Sequence, residues 1–591
     1  GRLADGVSPE TAVAELDRLA TTWSADFPAS DAGWTYDAPS LRDDLVGELR
    51  PALRVLLGVV ACVLLIACAN VAHLLLAVGA GRRREMAVRG ALGASRGRLA
   101  AQCLTESVLL GGLGGLLGVG LAILGVRVLV AAAPPDLPRL DEVAVDGTFL
   151  AVALGVALLS SLLFGLAPIW QATRTDLRSA LVEGGRTAGP ASHRLRGGLV
   201  VAEVALAMAL LVGAGLLVRS FDRLLDLDPG FRTADVVTFN LQLPPRVYGD
   251  WQAVNGFYDR LLETLEGTPG VRSAALAGFL PLEPGWRVEF VPEGRVAADG
   301  EEPEAQYRPV SPEWFETMGV ALEAGRVFDD RDRADRPGVV VINRSAANRY
   351  WPDEDPIGRR LTGQARSFGP LGQVLTESLE VEVVGVVGDV ANVSFGGPVE
   401  PALYFPHRQL AYRSMHVVAL GAGDADGSMA AVKDAVWRLD PRLPLDRLRP
   451  LDVDLSAAVA DRRFVLQLVG GFAALALILV AIGIYGVVSY LAGQRRREMG
   501  IRLALGAGRA SVSRLVVGQG MALVGAGVAM GLIAAWALRQ TLASLIYGIG
   551  TADPIALVGA ATVALVAGLL ASWLPARRAG RVDPVEVLQS E

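Results

Sequence analysis

The sequence predicts a polytopic α-helical membrane protein: about seven transmembrane helices in two parallel repeats, with a large α+β extracytoplasmic domain. Three observations carry this. Of the 591 residues, 52% are hydrophobic and 20% charged, with a mean hydropathy of +0.40, and the apolar excess collects in blocks long enough to cross a bilayer as helices. Arginines gather after alternate blocks. One arginine-rich motif occurs twice, each time directly after an apolar block. A soluble enzyme and a disordered or fibrous chain are excluded.

The elements follow in order. Residues 1–51 are polar and read as the tail of a first extracytoplasmic domain. Apolar spans are expected at 52–79, 104–132, 148–170, 197–219, 464–491, 515–539 and 554–575. Loop 82–98 carries Arg82, Arg83, Arg84, Arg89, Arg96 and Arg98. Segment 171–198 carries five further arginines, loop 495–514 six, and the tail Arg577, Arg578 and Arg581. By the positive-inside rule all four face the cytoplasm. That places 1–51, 133–147, 220–463 and 540–553 outside and the C-terminus inside, in a multi-pass membrane protein. The expected domains are 52–175 (a first unit of three spans), 176–196 (a cytoplasmic linker), 197–219 (one span), 220–463 (the extracytoplasmic domain) and 464–591 (a second three-span unit). Block 220–463 holds about a dozen more acidic than basic residues, so the net charge of −7 is concentrated there. Its strand-like runs Val339–Ile342 and Val381–Val387, with a helical pattern from Trp251 to Leu265, indicate an α+β domain.

The chain reads as an internal duplication. Arg84-Glu85-Met86-Ala87-Val88-Arg89-Gly90-Ala91-Leu92-Gly93-Ala94 matches Arg497-Glu498-Met499-Gly500-Ile501-Arg502-Leu503-Ala504-Leu505-Gly506-Ala507, at an offset of 413 residues. At the same offset Gly112, Gly114 and Gly118 fall on Gly525, Gly527 and Gly531. Both copies share one topology, so the repeats are parallel. The first copy has three spans and the second four, and residue 1 is glycine, so a span and the front of a first domain are expected to be missing from the start.

Several function classes lose support. Lys433 is the one lysine, and no glycine-rich turn precedes it, so these 591 residues hold no Walker loop. Cys62, Cys68 and Cys103 lie in or beside spans, and His73, His193, His407 and His416 are scattered, which leaves no zinc pattern. No nucleophile elbow or HExxH motif stands out, so catalytic, cofactor and metal residues are expected to be none. Polar residues within spans are few: Asn70, His73, Glu106, Glu203 and Gln519. An ion-coupled pump would need acids near the midplane. Glu106 and Gln519 correspond in the repeat, which favours interhelical hydrogen bonding. Gly114/Gly118 and Gly527/Gly531, each pair four residues apart, are candidates for close helix packing.

The repeated loops are the candidate functional sites. Arg84, Glu85, Met86, Arg89, Leu92 and Gly93, with Arg497, Glu498, Met499, Arg502, Leu505 and Gly506, place a short charged helix between two spans, stopped by glycine. Such a helix can receive a push from a partner. The arginines alone could serve merely to stop translocation, but that leaves the repeated Glu and Leu-Gly-Ala positions unexplained.

Together with Cys68-Ala69-Asn70-Val71-Ala72, Val201-Ala202-Glu203-Val204-Ala205-Leu206, Asp228-Pro229-Gly230-Phe231, Ile482-Gly483-Ile484-Tyr485-Gly486-Val487-Val488 and Asp583-Pro584-Val585-Glu586-Val587-Leu588, these loops resemble the MacB/FtsX family of ABC transporter permeases in its duplicated form. The resemblance covers nearly the whole chain; His73 stands where asparagine is expected. It implies a MacB-like periplasmic core domain at 220–463 and a non-catalytic permease subunit in a bacterial inner membrane. A separate cytoplasmic ATPase, expected as a dimer, would bind the two loops as coupling helices and use the ATP, driving the extracytoplasmic domain for export or efflux by mechanotransmission. Membrane lipids and periplasmic or outer-membrane proteins are the further partners implied, and nucleic acid is not. The alternative is a transmembrane sensor whose extracytoplasmic domain controls a partner protein.

Overall fold

The computed structural model describes residues 2–26, 40–41, 47, 50–81, 89, 92, 95–133, 143–165, 190–294, 303–368, 374–393, 396–409, 412–423, 425–505, 507–540, 546, 548–550 and 552–581. The chain divides into two units, Gly1–Asp44 with Asp226–Ala460, and Leu45–Leu225 with Asp461–Glu591.

A helix α1 (Pro9–Asp26) opens the chain. The membrane unit then begins with α2 (Arg50–Gly81), α3 (Arg96–Ala132), α4 (Gly147–Gly165) and α5 (Pro190–Leu225). Six helices among the described residues are long and apolar enough to span a bilayer, at Arg50–Leu75, Leu104–Ala132, Arg196–Leu225, Ala460–Gln494, Arg509–Ala537 and Pro554–Ala579. The seventh expected span, 148–170, is α4. Its apolar stretch runs only Gly147–Ser160 and residues 166–170 lie outside the described set, so six helices rather than seven meet the spanning criterion.

The α/β unit starts with β1 (Val236–Gln242), α6 (Trp251–Glu266), β2 (Val271–Ala277), β3 (Trp286–Pro292), β4 (Glu304–Val310) and α7 (Trp314–Met318). It continues through β5 (Leu322–Gly325), β6 (Gly338–Asn343), α8 (Arg344–Tyr350), β7 (Arg360–Phe368), β8 (Val374–Val387), β9 (Ala402–Pro406), β10 (Ser414–Gly421), α9 (Ala425–Leu439), β11 (Asp446–Pro450) and α10 (Leu451–Ala458). Strands β11-β1-β10-β2 form an antiparallel sheet in the order of a split βαβ fold, with α6 and α9 as its crossover helices. Asp250 caps α6 by accepting from Ala253 N at 2.7 Å, and Phe257, Leu261 and Leu265 line the buried face of that helix. The chain between β2 and β10 builds a second lobe. There β4-β3-β7-β8-β6-β9 pair in turn, and β9 returns to β4 in parallel, closing a six-stranded ring around Val340, Ile342, Leu403 and Phe405.

One arginine ties the two lobes and another braces the second lobe from within. Arg408 follows β9 and donates to Asp259 of α6 at 2.9 Å and to Asp330 at 2.8 Å. Arg308 of β4 is 2% exposed and donates to the carbonyls of Leu280, Glu283 and Asn392. Burial draws its guanidinium down to about 10, which leaves it charged at neutral pH.

The chain returns to the membrane unit with α11 (Ala460–Gln494), α12 (Arg496–Ala504), α13 (Arg509–Ala537) and α14 (Pro554–Ala579). Asp553 caps α14 by accepting from Ala556 N at 2.9 Å, with Pro554 in the first turn. Helix α5 packs against α13, α14 and α2, while α3 packs against α4.

Candidate functional site

The second repeated loop forms α12, immediately after α11. Its sequence makes it two-faced. Met499 and Leu503, four apart, join the apolar core, and Met499 packs toward Val512 and Leu515 of α13. Glu498, Ile501, Arg502 and Leu505 lie on the exposed side. Arg502 Nη2 donates to Glu498 Oε1 at 2.6 Å, an i,i+4 pair with both side chains about half exposed. Acid in the first turn and base in the last suit the helix dipole. Leu505 ends the helix at 83% exposure. Gly506 and the side chain of Arg497 lie outside the described residues.

In the first loop, Arg84, Glu85, Met86 and Gly93 lie outside the described residues. Leu92 is 83% exposed, matching Leu505. Arg89 Nη1 donates to Gln102 Oε1 at 2.7 Å, and Gln102 Nε2 donates to Glu106 Oε1 at 3.2 Å. Glu106, expected to bond between helices, here accepts a bond along its own helix that links it to Arg89 of the loop. Gln102 was missed; its i,i+4 spacing from Glu106 was the available signal. Ile501 was missed as well, because an apolar residue in a short charged helix reads as core.

The two glycine pairs part company. A Cβ on Gly527 would lie 2.5 Å from Val204 Cβ, and one on Gly531 would lie 2.5 Å from Met208 Cβ and 2.8 Å from the Ala205 carbonyl. These glycines let α13 and α5 approach closely. Among the described residues no atom lies within 4 Å of such a Cβ on Gly114 or Gly118, so the helix packing expected there has no partner among them. The face of α3 turned toward α4 instead carries Gly115, whose Cβ would lie 2.9 Å from Leu154 Cδ1. A GxxxG spacing defines a stripe on a helix; the neighbour decides whether that stripe is the one covered.

Among the described residues no group of three or more His, Cys, Asp or Glu converges as a metal site. What the geometry offers is a rigid handle: a short helix anchored by one face and presenting the other.

An FtsX-like permease C-terminal family model matches residues 57–177 and 470–584, and a MacB-like periplasmic core domain model matches 198–438. Among curated proteins, the pyoverdine export ATP-binding/permease protein PvdT of Pseudomonas aeruginosa is 26% identical over 47% of this chain and 41% of its own length. The macrolide export ATP-binding/permease protein MacB 2 of Aeromonas hydrophila subsp. hydrophila is 23% identical over 68% of this chain and 59% of its own length. The chain thus spans about half the length of these relatives. Among solved structures, the periplasmic region of MacB from Actinobacillus actinomycetemcomitans aligns at 15% identity over 40% of this chain and 96% of its own, with a TM-score of 0.26.

Proposed function

Since the chain belongs to the MacB/FtsX family of ABC transporter permeases, we propose that it is the non-catalytic permease of an export system driven by a cytoplasmic ATPase dimer on a separate polypeptide. The ATPase docks on loops 82–98 and 495–511, which face the cytoplasm with the C-terminus. Its closing and opening shifts the spans, and the α/β domain outside the membrane carries the movement to the cargo. The ATP belongs to the partner; the permease holds no cofactor of its own.

The observation that carries this reading is the two-faced α12. Its Met499–Leu503 face is bound into the span core, so force on the other face is delivered to the spans rather than absorbed by a loose loop. An outward leucine at 83% exposure, repeated at Leu92 and Leu505, is what an apolar socket on a partner requires. PvdT and MacB 2 are export proteins by name, which supports the direction of transport, while their cargoes remain theirs.

The test is a pull-down of the intact protein from its native membrane, with mass spectrometry of what copurifies. A stoichiometric P-loop ATPase is expected. It should be lost on Leu92→Glu with Leu505→Glu, changes that touch only exposed positions, and on Glu85→Lys with Glu498→Lys. An ATPase that copurifies equally with all variants refutes docking at the loops. If no ATPase appears at all, the sensor reading takes over.

A further inference from the structure

Three polar side chains meet deep in the membrane unit. On α2, Asn70 and His73 stand one turn apart and both are buried; on α5, Glu203 is buried too. His73 Nδ1 lies 3.3 Å from Glu203 Oε1, the two side chains being 4% and 1% exposed. The contact is at ion-pair distance but off the line of a hydrogen bond, and no other described group bonds to either carboxylate oxygen. Asn70 Nδ2 donates 2.8 Å to the carbonyl of Leu479 on α11. The same helix supplies the remaining wall: a Cβ on Gly483 would lie 2.4 Å from Glu203 Oε2 and 2.6 Å from Asn70 Oδ1. The carboxylate and the carboxamide fill the space a side chain at 483 would need.

Two facts give this junction direction. At the 413-residue offset between the repeated loops, Asn70 and His73 fall on Gly483 and Gly486. One helix brings the polar groups, and the helix at the corresponding place in the other repeat brings the room for them. The chain connections also differ. Helix α2 leads toward the first loop, with His73 about 12 Å along the axis before its end at Gly81, and does not adjoin the Asp226–Ala460 segment in sequence. Helices α5 and α11 are the two from which that segment is strung. Within the membrane unit a displacement of α2 passes to α5 and α11 through the contacts between these helices, and a buried His–Glu contact resists sliding, since separating it leaves both polar groups buried without a partner.

We propose that Asn70, His73 and Glu203 form a polar latch binding α2 to α5 and α11, through which movement of the first loop is passed to the helices that carry the α/β domain. These are positioning residues. The proposal rests on the ATPase-driven reading above, and its test separates the two. First, the whole protein in lipid nanodiscs is unfolded thermally as His73→Ala, Glu203→Gln and the double variant. The double variant is expected to lose less than the sum of the single losses, by at least half of the smaller one; strict additivity overturns the latch whether or not an ATPase binds. Second, the copurified ATPase is added to protein whose three cysteines are replaced by serine and whose exposed Arg272 is replaced by cysteine bearing an environment-sensitive fluorophore. Glu203→Gln and His73→Ala are expected to keep ATPase affinity within about twofold while the ATP-dependent fluorescence change falls at least fivefold. Gly483→Ala is expected to do the same, and the swap His73→Glu with Glu203→His to restore half of the signal or more. Variants whose domain signal follows ATP as the parent does overturn the transmission. A parent that binds no ATPase overturns the function proposed above and leaves the thermal cycle to decide the latch.

Discussion

Gly531→Ala and Gly118→Ala make the same chemical change at the same place in the repeated motif, and should give different results. In an isolated helix each would gain about 1 kcal/mol from the lower backbone entropy cost of alanine. At Gly118 nothing among the described residues lies within 4 Å of the new methyl, so that gain stands. At Gly531 the methyl would sit 2.5 Å from Met208 Cβ and 2.8 Å from the Ala205 carbonyl, whereas ordinary contact begins near 3.4 Å. Helix α5 must therefore yield by almost 1 Å along a close-packed seam, and overpacking of that order costs about 1–3 kcal/mol. Because the propensity gain is common to both, the difference between the two variants isolates the packing: about 1–3 kcal/mol, with Gly531→Ala the less stable. Gly527→Ala against Gly114→Ala repeats the comparison. The assay is the midpoint of heat-induced loss of the monodisperse peak in detergent, where roughly 2–4 °C is expected per kcal/mol. Equal shifts in both repeats, or a larger loss at Gly118, would refute the close approach of α13 to α5.

Two further predictions concern the α/β domain. His407 is fully buried, and burial, with the Arg408 guanidinium adding to it, pushes its imidazole down to about 4. The unfolded chain takes up the proton near 6.5 and the folded one does not, so stability present above pH 6.5 is lost as pH falls toward 4, by at most about 3 kcal/mol. Hydrogen exchange in β9 and β10 should quicken across that window, and His407→Leu should flatten the dependence; an unchanged slope in the variant counts against it. Arg308→Met would strand the carbonyls of Leu280, Glu283 and Asn392 and should destabilise the domain by about 3–5 kcal/mol in urea, with Arg308→Lys recovering part of the loss. A methionine variant as stable as the parent would show that those carbonyls find other partners.

Much of the architecture was legible because bilayer crossing and loop charge are one-dimensional signals. The spans and the inserted domain each announce themselves by composition alone. The same holds for α12, whose glutamate and arginine sit four apart, at helical spacing. What stayed hidden depended on which helix lies beside which. The spacing of Gly114 and Gly118 equals that of Gly527 and Gly531, yet only the second pair meets a partner among the described residues. Gly483 looks like any small residue in a span until Glu203 and Asn70 are seen to occupy the space over it. The return of β9 to β4 was beyond reach as well, since a parallel pairing across a long separation leaves no local trace.

The first and last strands of the split βαβ sheet are neighbours: Val237 is opposite Pro450 and Thr238 opposite Arg449, with a break in register before Asn240. The start of β1 and the end of β11 therefore leave the sheet at the same corner. Pulling those two chain ends apart loads the pair as a zipper, so that its hydrogen bonds fail one after another rather than sharing the tension, and β11, as an edge strand, has nothing on its far side to hold it. Strands arranged this way endure being carried together but not being spread. A stroke that tilts or lifts α5 and α11 in concert moves the domain whole, whereas one that splits them would begin to peel β11 away at Pro450.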